Sequence, residues 1–304
     1  MSDSFGESLG ALERWFPDEA SCLQWLFDAR YGQGTRCGLC GKSASWKPYG
    51  APRQWVSSCC YHEISPCAGT LFHKSRLPLQ TWFRAIALIS NFDGRISLHF
   101  LVRHLGVGIT TAFRITDKVR VHMTALALRD DRPFDGPVCV DEMHLSAVRT
   151  PSLHRDRPMI IFGIATLERF RFFVVPDRRA ETLVPIIRRH VRPGARIVAD
   201  GLKSYDVLAR YGFTMSRVNH TRGLWRNDEG DTTTPIELCW PRLRHQLERA
   251  HQHVESRNVW KYLGQHMFIR QTRQRQRSPL WDALATFPDI GKSATELRTQ
   301  IDLR

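Results

Sequence analysis

Two short apolar runs that each end in a carboxylate constrain this chain more than any other feature: Pro137-Val138-Cys139-Val140-Asp141-Glu142 and Arg196-Ile197-Val198-Ala199-Asp200-Gly201. Apolar stretches this short, bounded by Gly or Pro, predict strands. If the two strands are neighbours, Asp141 and Asp200 meet although 59 residues separate them in sequence. A third acid, Glu237, stands in Thr234-Pro235-Ile236-Glu237, where a helix is predicted to begin. Each acid alone has an ordinary reading: a solvated strand end, or, for Thr234-x-x-Glu237 with Pro235 at the first helical position, a capping box. Together they predict something more specific. Close carboxylates repel, and a divalent cation relieves that repulsion. Two such ions about 3.5–4 Å apart hold the attacking and leaving oxygens of an in-line phosphodiester displacement. Oxygen ligands favour Mg²⁺ or Mn²⁺ over zinc. Asp141, Asp200 and Glu237 are therefore the candidate catalytic residues and the candidate ligands of that metal. Glu142 falls on the opposite strand face and is expected to support them.

The order of elements around these acids predicts the fold class. After the breaker-rich Asp130-Asp131-Arg132-Pro133, strands are expected at Val138–Val140, Met159–Thr166 and Phe170–Val175, the last two joined by a hairpin at Leu167-Glu168-Arg169. A helix over Glu181–Val191 ends at Pro193-Gly194, followed by the strand Arg196–Ala199, a helix near Tyr205–Tyr211 and a strand at Thr214–Val218. This is the order of an α/β, ribonuclease-H-like catalytic domain with a mixed five-stranded sheet, expected over residues 131–268.

Of eight cysteines, five (Cys37, Cys40, Cys59, Cys60, Cys67) crowd into one early segment. In a reducing compartment such clustering points to metal rather than disulfides. Cys37-Gly38-Leu39-Cys40-Gly41 has the form of one knuckle of a zinc ribbon. The second half is irregular: Cys59, Cys60, His62 and Cys67 all compete to complete the site. Cys37, Cys40, Cys60 and His62 are taken as candidate zinc ligands in a zinc-ribbon-like module over residues 1–75, which begins with a helix over 11–32 broken near Pro17.

Residues 76–130 predict a helical region. A stripe from Leu77 through Trp82, Phe83, Ile86 and Ile89 gives one helix, Ile96–Leu105 a second, Gly106-Val107-Gly108 a turn, and Thr110 opens a third. Helix, glycine-bearing turn, helix is the pattern of a helix-turn-helix, with Thr110, Thr111, Arg114 and Lys118 as candidate DNA readers. Farther on, an interrupted apolar stripe from Leu238 to Ile269 is flanked by Arg242 and Arg244, and a basic tail over 269–304 carries Arg273. These arginines are candidate phosphate contacts. Pro241 is expected to kink or displace its helix.

Charge limits the partners. Lysine and arginine total 44 against 30 acids, a net charge of +14 and a pI near 9.9. A surface this basic favours a polyanion, and nucleic acid precedes membrane because no apolar span of about 20 residues accompanies it. The amino terminus lacks the basic start and apolar core of a secretory signal, so a cytoplasmic, nucleoid-associated bacterial protein is expected. Gly41-Lys42-Ser43 and Gly291-Lys292-Ser293 lack the upstream glycine of a phosphate-binding loop.

Pro137–Glu142, Ala199-Asp200-Gly201-Leu202-Lys203-Ser204-Tyr205, Val218-Asn219-His220 and Ile236-Glu237-Leu238-Cys239-Trp240 together resemble the successive catalytic blocks of DDE transposases of bacterial insertion sequences. The nearest resemblance is to the ISXO-like group, which carries an amino-terminal zinc ribbon. Phe16–Ala20, Arg36–Gly41, Gly69–Leu79 and Ile96–Thr111 resemble that group's ribbon and helix-turn-helix, so the resemblance spans roughly residues 14–270. It implies that Asp141 and Asp200 are the metal-binding aspartates, Glu237 the third acid, and His220 a histidine supporting them. The chain departs from the group at Ser57, where a cysteine is usual, and at Thr234, where an asparagine is usual. The implied activity is DNA transposition: binding of terminal inverted repeats, metal-dependent strand cleavage and transfer into target DNA, by a homo-oligomer in the synaptic complex. The alternative is a catalytically inactive or repurposed transposase acting as a sequence-specific DNA-binding protein; a structure-selective nuclease is a third reading.

Overall fold

The computed structural model of the chain describes residues 3–32, 36–50, 52–92, 96–145, 159–218, 226–250, 254–290 and 294–304. Its two structural units are Met1–Leu126 with Arg277–Ala294, and Ala127–Gln276 with Thr295–Arg304.

In the first unit, α1 (Asp3–Trp15) and α2 (Glu19–Tyr31) are separated at Pro17. Asp18 caps α2 by accepting a 2.7 Å hydrogen bond from the Ser21 amide. Three short antiparallel strands follow in the order β1 (Trp46–Pro48), β2 (Trp55–Ser57), β3 (Glu63–Ile64). The helix α3 (Leu79–Asn91) starts after Pro78, which has no side chain able to cap it. Glu19 supplies the cap from α2: its Oε2 accepts the Leu79 amide at 2.6 Å while Oε1 accepts Arg53 Nε at 2.8 Å. Arg53 in turn donates to the Ser75 and Leu77 carbonyls. One ion pair thus ties α2, the approach to β2 and the start of α3. The helix then buries Leu79, Trp82, Phe83, Ile86 and Ile89. Next come α4 (Leu98–Leu105) and α5 (Ile109–Ala127). Between them Gly106 adopts φ 63° and returns its N–H to the Val102 carbonyl, a left-handed helix end that glycine takes without steric cost. The expected helix, glycine turn, helix is therefore present at 98–127.

The second unit contains β4 (Pro137–Leu145), β5 (Met159–Ala165), β6 (Phe170–Val175), α6 (Ala180–His190), β7 (Arg196–Ala199), a 3-10 helix (Lys203–Tyr211) and β8 (Thr214–Arg217). Then follow α7 (Thr234–Glu237), α8 (Trp240–Arg244), a π-helical turn (His245–Ala250) and α9 (Val259–Gln274). The strands form one five-stranded mixed sheet in the order β6-β5-β4-β7-β8. Antiparallel pairs join β6, β5 and β4, and parallel pairs join β4, β7 and β8. On one face Val138, Val140, Phe162, Ile164 and Phe173 pack with Leu183 and Ile187 of α6 and with Tyr205 and Leu208 of the 3-10 helix. On the other face lie α7, α8 and α9: Trp240 packs on Phe172 with ring centroids 5.2 Å apart, and Gln271 donates to the Phe170 carbonyl at 2.6 Å.

Two expectations change. The first strand does not stop at Val140: β4 continues to Leu145 because its antiparallel partner β5 pairs with it through Leu145↔Met159. Asp141 and Glu142 therefore sit inside a strand, and only the parallel pairing to β7 ends before them, at Cys139↔Val198. The segment 269–304, expected as a basic tail, is folded into both units. In the first, α10 (Pro279–Ala285) buries Leu280 and Leu284, and its Ala283 and Leu284 carbonyls accept from His122 and Trp25. In the second, the chain after α11 (Ala294–Thr299) bonds β6 through Val174 and Ile301. Of the two effects expected of Pro241, the structure shows the displaced start: α7 ends at Glu237 and α8 begins at Trp240 with Pro241 in its first turn, where the missing N–H costs nothing. No helix among the described residues is long and apolar enough to cross a membrane.

Asp130, just ahead of β4, is clamped by Arg132, Arg169 and Arg275 at 2.8–3.1 Å. The bidentate Arg132 first, and the other two cations after it, hold its carboxyl well below the usual aspartate range. A depressed carboxylate stabilises the fold above its unfolded value of about 3.9 and ceases to as pH falls below it. Asp130→Asn is expected to cost about 1–3 kcal/mol at neutral pH in urea denaturation. The gap from the unmodified chain should close as pH falls below about 4.

Candidate active site and cysteine cluster

The register of the parallel pair β4–β7 brings the first two acids together. The offset that sets Cys139 opposite Val198, and Val138 opposite Ile197, also sets Asp141 opposite Asp200, one step past the last paired residue of β7. Side chains alternate along a strand, so Asp141 and Asp200 share the face of Cys139 and Val198. Val138 and Val140 take the other face, within the α6-side core. Parallel neighbours lie about 4.8 Å apart, within reach of one shared cation.

The third acid arrives with α7 on that same face. Gly163 of β5 pairs directly with Asp141, and a Cβ there would stand 2.6 Å from Ile236 Cδ1 and 2.7 Å from the Trp240 ring. Its bare backbone lets α7 and α8 press onto the sheet, and Trp240 Nε1 donates to Asp141 Oδ2 at 2.6 Å. The Cys139 thiol fixes the approach to α7 by donating to the Thr232 carbonyl at 3.1 Å. Burial pushes this thiol up to about 12, so it remains a donor at neutral pH.

The capping-box reading of Glu237 is not realised. The Thr234 amide donates to Thr232 Oγ1 at 3.1 Å, and the Thr232 and Thr234 hydroxyls bond each other. The Glu237 carboxylate instead accepts from the Thr233 hydroxyl, one turn back. Asp141 registers its surroundings: burial raises its pKa first, Trp240 and the Glu142 amide oppose that, and the charges of Asp200 and Glu237 raise it further. Asp200 accepts the Leu202 amide at 2.9 Å, which sets its rotamer. Asp200 and Glu237 thus both lie within electrostatic reach of Asp141.

Glu142 faces away, as expected for its strand position, and accepts from the Tyr205 hydroxyl in the α6-side core. Burial, then the charges of Asp141 and Asp200, push its pKa up to about 8. At that value the neutral form is favoured at pH 7, and Glu142 adds no fourth negative charge beside the three acids. His220 lies outside the described residues. Trp240, Gly163 and Thr233 were not picked out as site residues from the sequence. A glycine inside an apolar strand is the usual mark of close approach and was the available signal for Gly163. Trp240, three residues after Glu237, follows on the next helical turn.

Among the candidate DNA contacts, Thr110 and Arg114 are exposed on α5 and Thr111 is half-buried. Lys118 is engaged internally: its Nζ donates to the His73 carbonyl at 3.1 Å and sits 5.8 Å from the Trp82 ring. Burial lowers its pKa. Arg242 and Arg244 are exposed on α8. Arg242, Arg270 and Arg273 border a cleft of about 350 Å³ beside Thr234, Pro235 and Leu238.

In the first unit, Cys37, Cys40, Cys59 and Cys60 bring their sulfurs within 4.8 Å of one another. Four thiolates on a tetrahedral zinc with bonds of about 2.3 Å stand about 3.8 Å apart, so the spacing fits zinc. Observed pairs include Cys37–Cys60 at 3.5 Å and Cys40–Cys59 at 3.4 Å. The backbone amide of Cys40, and then that of Leu39, pull Cys37 down to about 6, which favours the thiolate a metal needs.

This corrects the expected set, in which His62 was the fourth ligand. The His62 amide donates to Ser57 Oγ, and its carbonyl accepts from the Ser57 amide, both at 2.9 Å. The two residues close the turn whose tip carries Cys59 and Cys60, while the His62 ring stands edge-on to Trp46. Ser57 has no sulfur to offer, and Cys59 supplies it instead. Cys67 is buried outside the cluster, and burial pushes it up to about 11.

Residues 133–270, the span from just before β4 into α9, match the family described as the ISXO2-like transposase domain. An uncharacterized protein in transposable element ISH50 of Halobacterium salinarum is 25% identical over 244 residues, covering 72% of this chain and 80% of its own length. An uncharacterized transposase-like protein of Haemophilus influenzae is 44% identical over 48 residues, 16% of this chain and 39% of the relative.

Gly163→Ala should be a severe change for one methyl group, because the new Cβ meets Ile236 and Trp240 inside 3 Å. A loss of about 1–3 kcal/mol is expected from overpacking, read by urea denaturation against Gly10→Ala in α1 as the control.

Proposed function

We propose that the chain is a DDE transposase whose second unit is a ribonuclease-H-like catalytic domain holding Mg²⁺ or Mn²⁺ between Asp141, Asp200 and Glu237. The observation that carries this reading is the β4–β7 register, which sets Asp141 beside Asp200, together with the upward push that Asp200 and Glu237 exert on Asp141. Three carboxylates, two of which press on Asp141, are an oxygen-donor set suited to a hard dication. Such an ion, when bound, supplies the Lewis acid for the attacking and leaving oxygens.

The chain's own groups do the rest. Trp240 and the Glu142 amide hold both oxygens of Asp141, leaving its second lone pairs for a ligand. Thr233 orients Glu237, and the protonated Glu142 keeps excess charge out of the sheet behind them. In the first step water attacks the phosphodiester at the element's end, and the P–O3′ bond breaks to free a 3′ hydroxyl. In the second that hydroxyl attacks a target phosphodiester, a new P–O bond forms and the target's 3′ oxygen leaves. Neither step needs a covalent protein-DNA bond.

Terminal inverted repeats would be bound by the first unit, through the cysteine module and by Thr110, Thr111 and Arg114 of the helix-turn-helix. Arg242, Arg244 and Arg273 would take phosphates near the acids. The +14 charge supports such binding, and a homo-oligomer would bring two ends together in the synaptic complex.

Asp141→Asn, Asp200→Asn and Glu237→Gln should each abolish strand transfer on DNA carrying the element's ends while gel-shift binding to those ends persists. Joining by Asp141→Asn would overturn the assignment, and end binding by the unmodified chain without any cleavage would leave only a DNA-binding protein. The cysteine module should hold one equivalent of zinc by metal analysis. Cys59→Ser is expected to release it, and His62→Ala to retain it.

A further inference from the structure

One buried cation in the second unit, Arg171, has no carboxylate partner among the described residues; its guanidinium lies 5.8 Å from the Phe173 ring. In β6, Phe172 packs toward Trp240 on the acid-bearing face, while Arg171 and Phe173 face α6. Arg171 occupies a core position in a strand buried at all six residues and is 7% exposed. Its Nη2 lies 3.4 Å from Gln300 Oε1, at the long limit for a hydrogen bond, and its Nε has no partner. No carboxylate among the described residues forms an ion pair with it; Asp130, the nearest acid in influence besides Asp131, is already held by three other arginines. A guanidinium stays charged in proteins and carries five donors, so leaving it buried and unmatched is strongly unfavourable unless something else fills the fork.

The space for that exists. Arg171 lines a cavity of about 410 Å³ together with Arg189, His190 and Gln300, and the apolar part of the lining includes Pro185 and Leu303. No acid lines it. Burial, and then Arg171 and Arg189, press His190 down to about 3, so the imidazole is neutral and the two guanidiniums are the lining's cations. The carboxyl end of α6 favours Arg189 as a cation but gives Arg171 no acceptor. A planar carboxylate would satisfy one fork. Two guanidiniums with the side-chain amide of Gln300 offer more donors than that, and match the several oxygens of a phosphate.

We propose that this cavity is a phosphate-binding site, in which Arg171 and Arg189 clamp one phosphate of a nucleotide or of a DNA strand and the wall of Phe173, Pro185 and Leu303 takes the attached sugar or base. The site lies on the sheet face opposite Asp141 and does not depend on the catalytic assignment.

The test is calorimetry and thermal denaturation of the full chain in EDTA, with inorganic phosphate, a deoxynucleoside monophosphate, the matching nucleoside, citrate and a short single-stranded oligonucleotide as probes. Arg171→Met and Arg189→Gln are run beside the unmodified chain. A phosphate-bearing probe should bind saturably and raise the melting temperature, the nucleoside should not, and each variant should weaken the effect about tenfold or more. Unliganded Arg171→Met should melt no lower than the unmodified chain, because it removes an unmatched buried charge while keeping the volume. Binding of the mononucleotide assigns the source to free nucleotides; variant-sensitive binding of the oligonucleotide alone assigns it to a DNA strand. The proposal is overturned if no phosphate-bearing probe binds, if both variants bind as well as the unmodified chain, if citrate binds equally, or if unliganded Arg171→Met melts lower and gains nothing from phosphate.

Discussion

Parallel pairing between β4 and β7 is the constraint on which the second unit depends. Backbone hydrogen bonding at Pro137–Cys139 fixes the register, and two residues later that register sets two negative charges side by side in a region where burial already disfavours charge. A sheet does not arrange this for stability; the repulsion has to be borne by the apolar packing around it. The core behind β4 and β7 fully buries Val138, Val140, Ile197 and Ala199, and holds the strands together against that repulsion.

The helices on the acid face are positioned by absence as much as by contact. At Gly163 the sheet offers a bare backbone opposite Asp141, and the indole of Trp240 occupies the vacated volume with its N–H on the carboxylate. One aromatic side chain thereby packs the helix against the sheet and orients the acid, while Thr233 does the same service for Glu237 from the turn before. On the other face Tyr205 and the protonated Glu142 close the core with a neutral hydrogen bond in place of a further charge. The same economy appears in the cysteine module, where the serine at 57 became part of the turn and its neighbour at 59 took up the sulfur's place.

Much of this was legible in the sequence. The strands at 138, 159, 170, 196 and 214, the break at Pro17 and the glycine turn at 106 all follow from local chemistry: apolar runs, proline and a left-handed glycine. The pairing of Asp141 with Asp200 followed from assuming neighbouring strands. What could not be read depended on partners distant in sequence. The extension of β4 through its acids is set by β5, the engagement of Lys118 by His73 and Trp82, and the burial of Leu280, Leu284 and Ile301 by the surfaces they pack on. The choice between Cys59 and His62 turned on the geometry of a four-residue turn, which residue spacing alone does not specify.

The chain's last described stretch has a bearing on when the molecule can fold. Arg277–Ala294 completes the first unit, and the residues from Thr295 complete the second, where Ile301 and Leu303 hydrogen-bond the outer strand at Val174. A ribosome that has made everything up to residue 276 has therefore finished neither. Helix α3 and the aromatic side chains around Phe72 still lack Phe287 and α10, and β6 still presents a naked edge. Both units reach their final form only after residues through Leu303 have left the exit tunnel, and until then the unpaired edge of β6 is open to mispairing with another nascent chain.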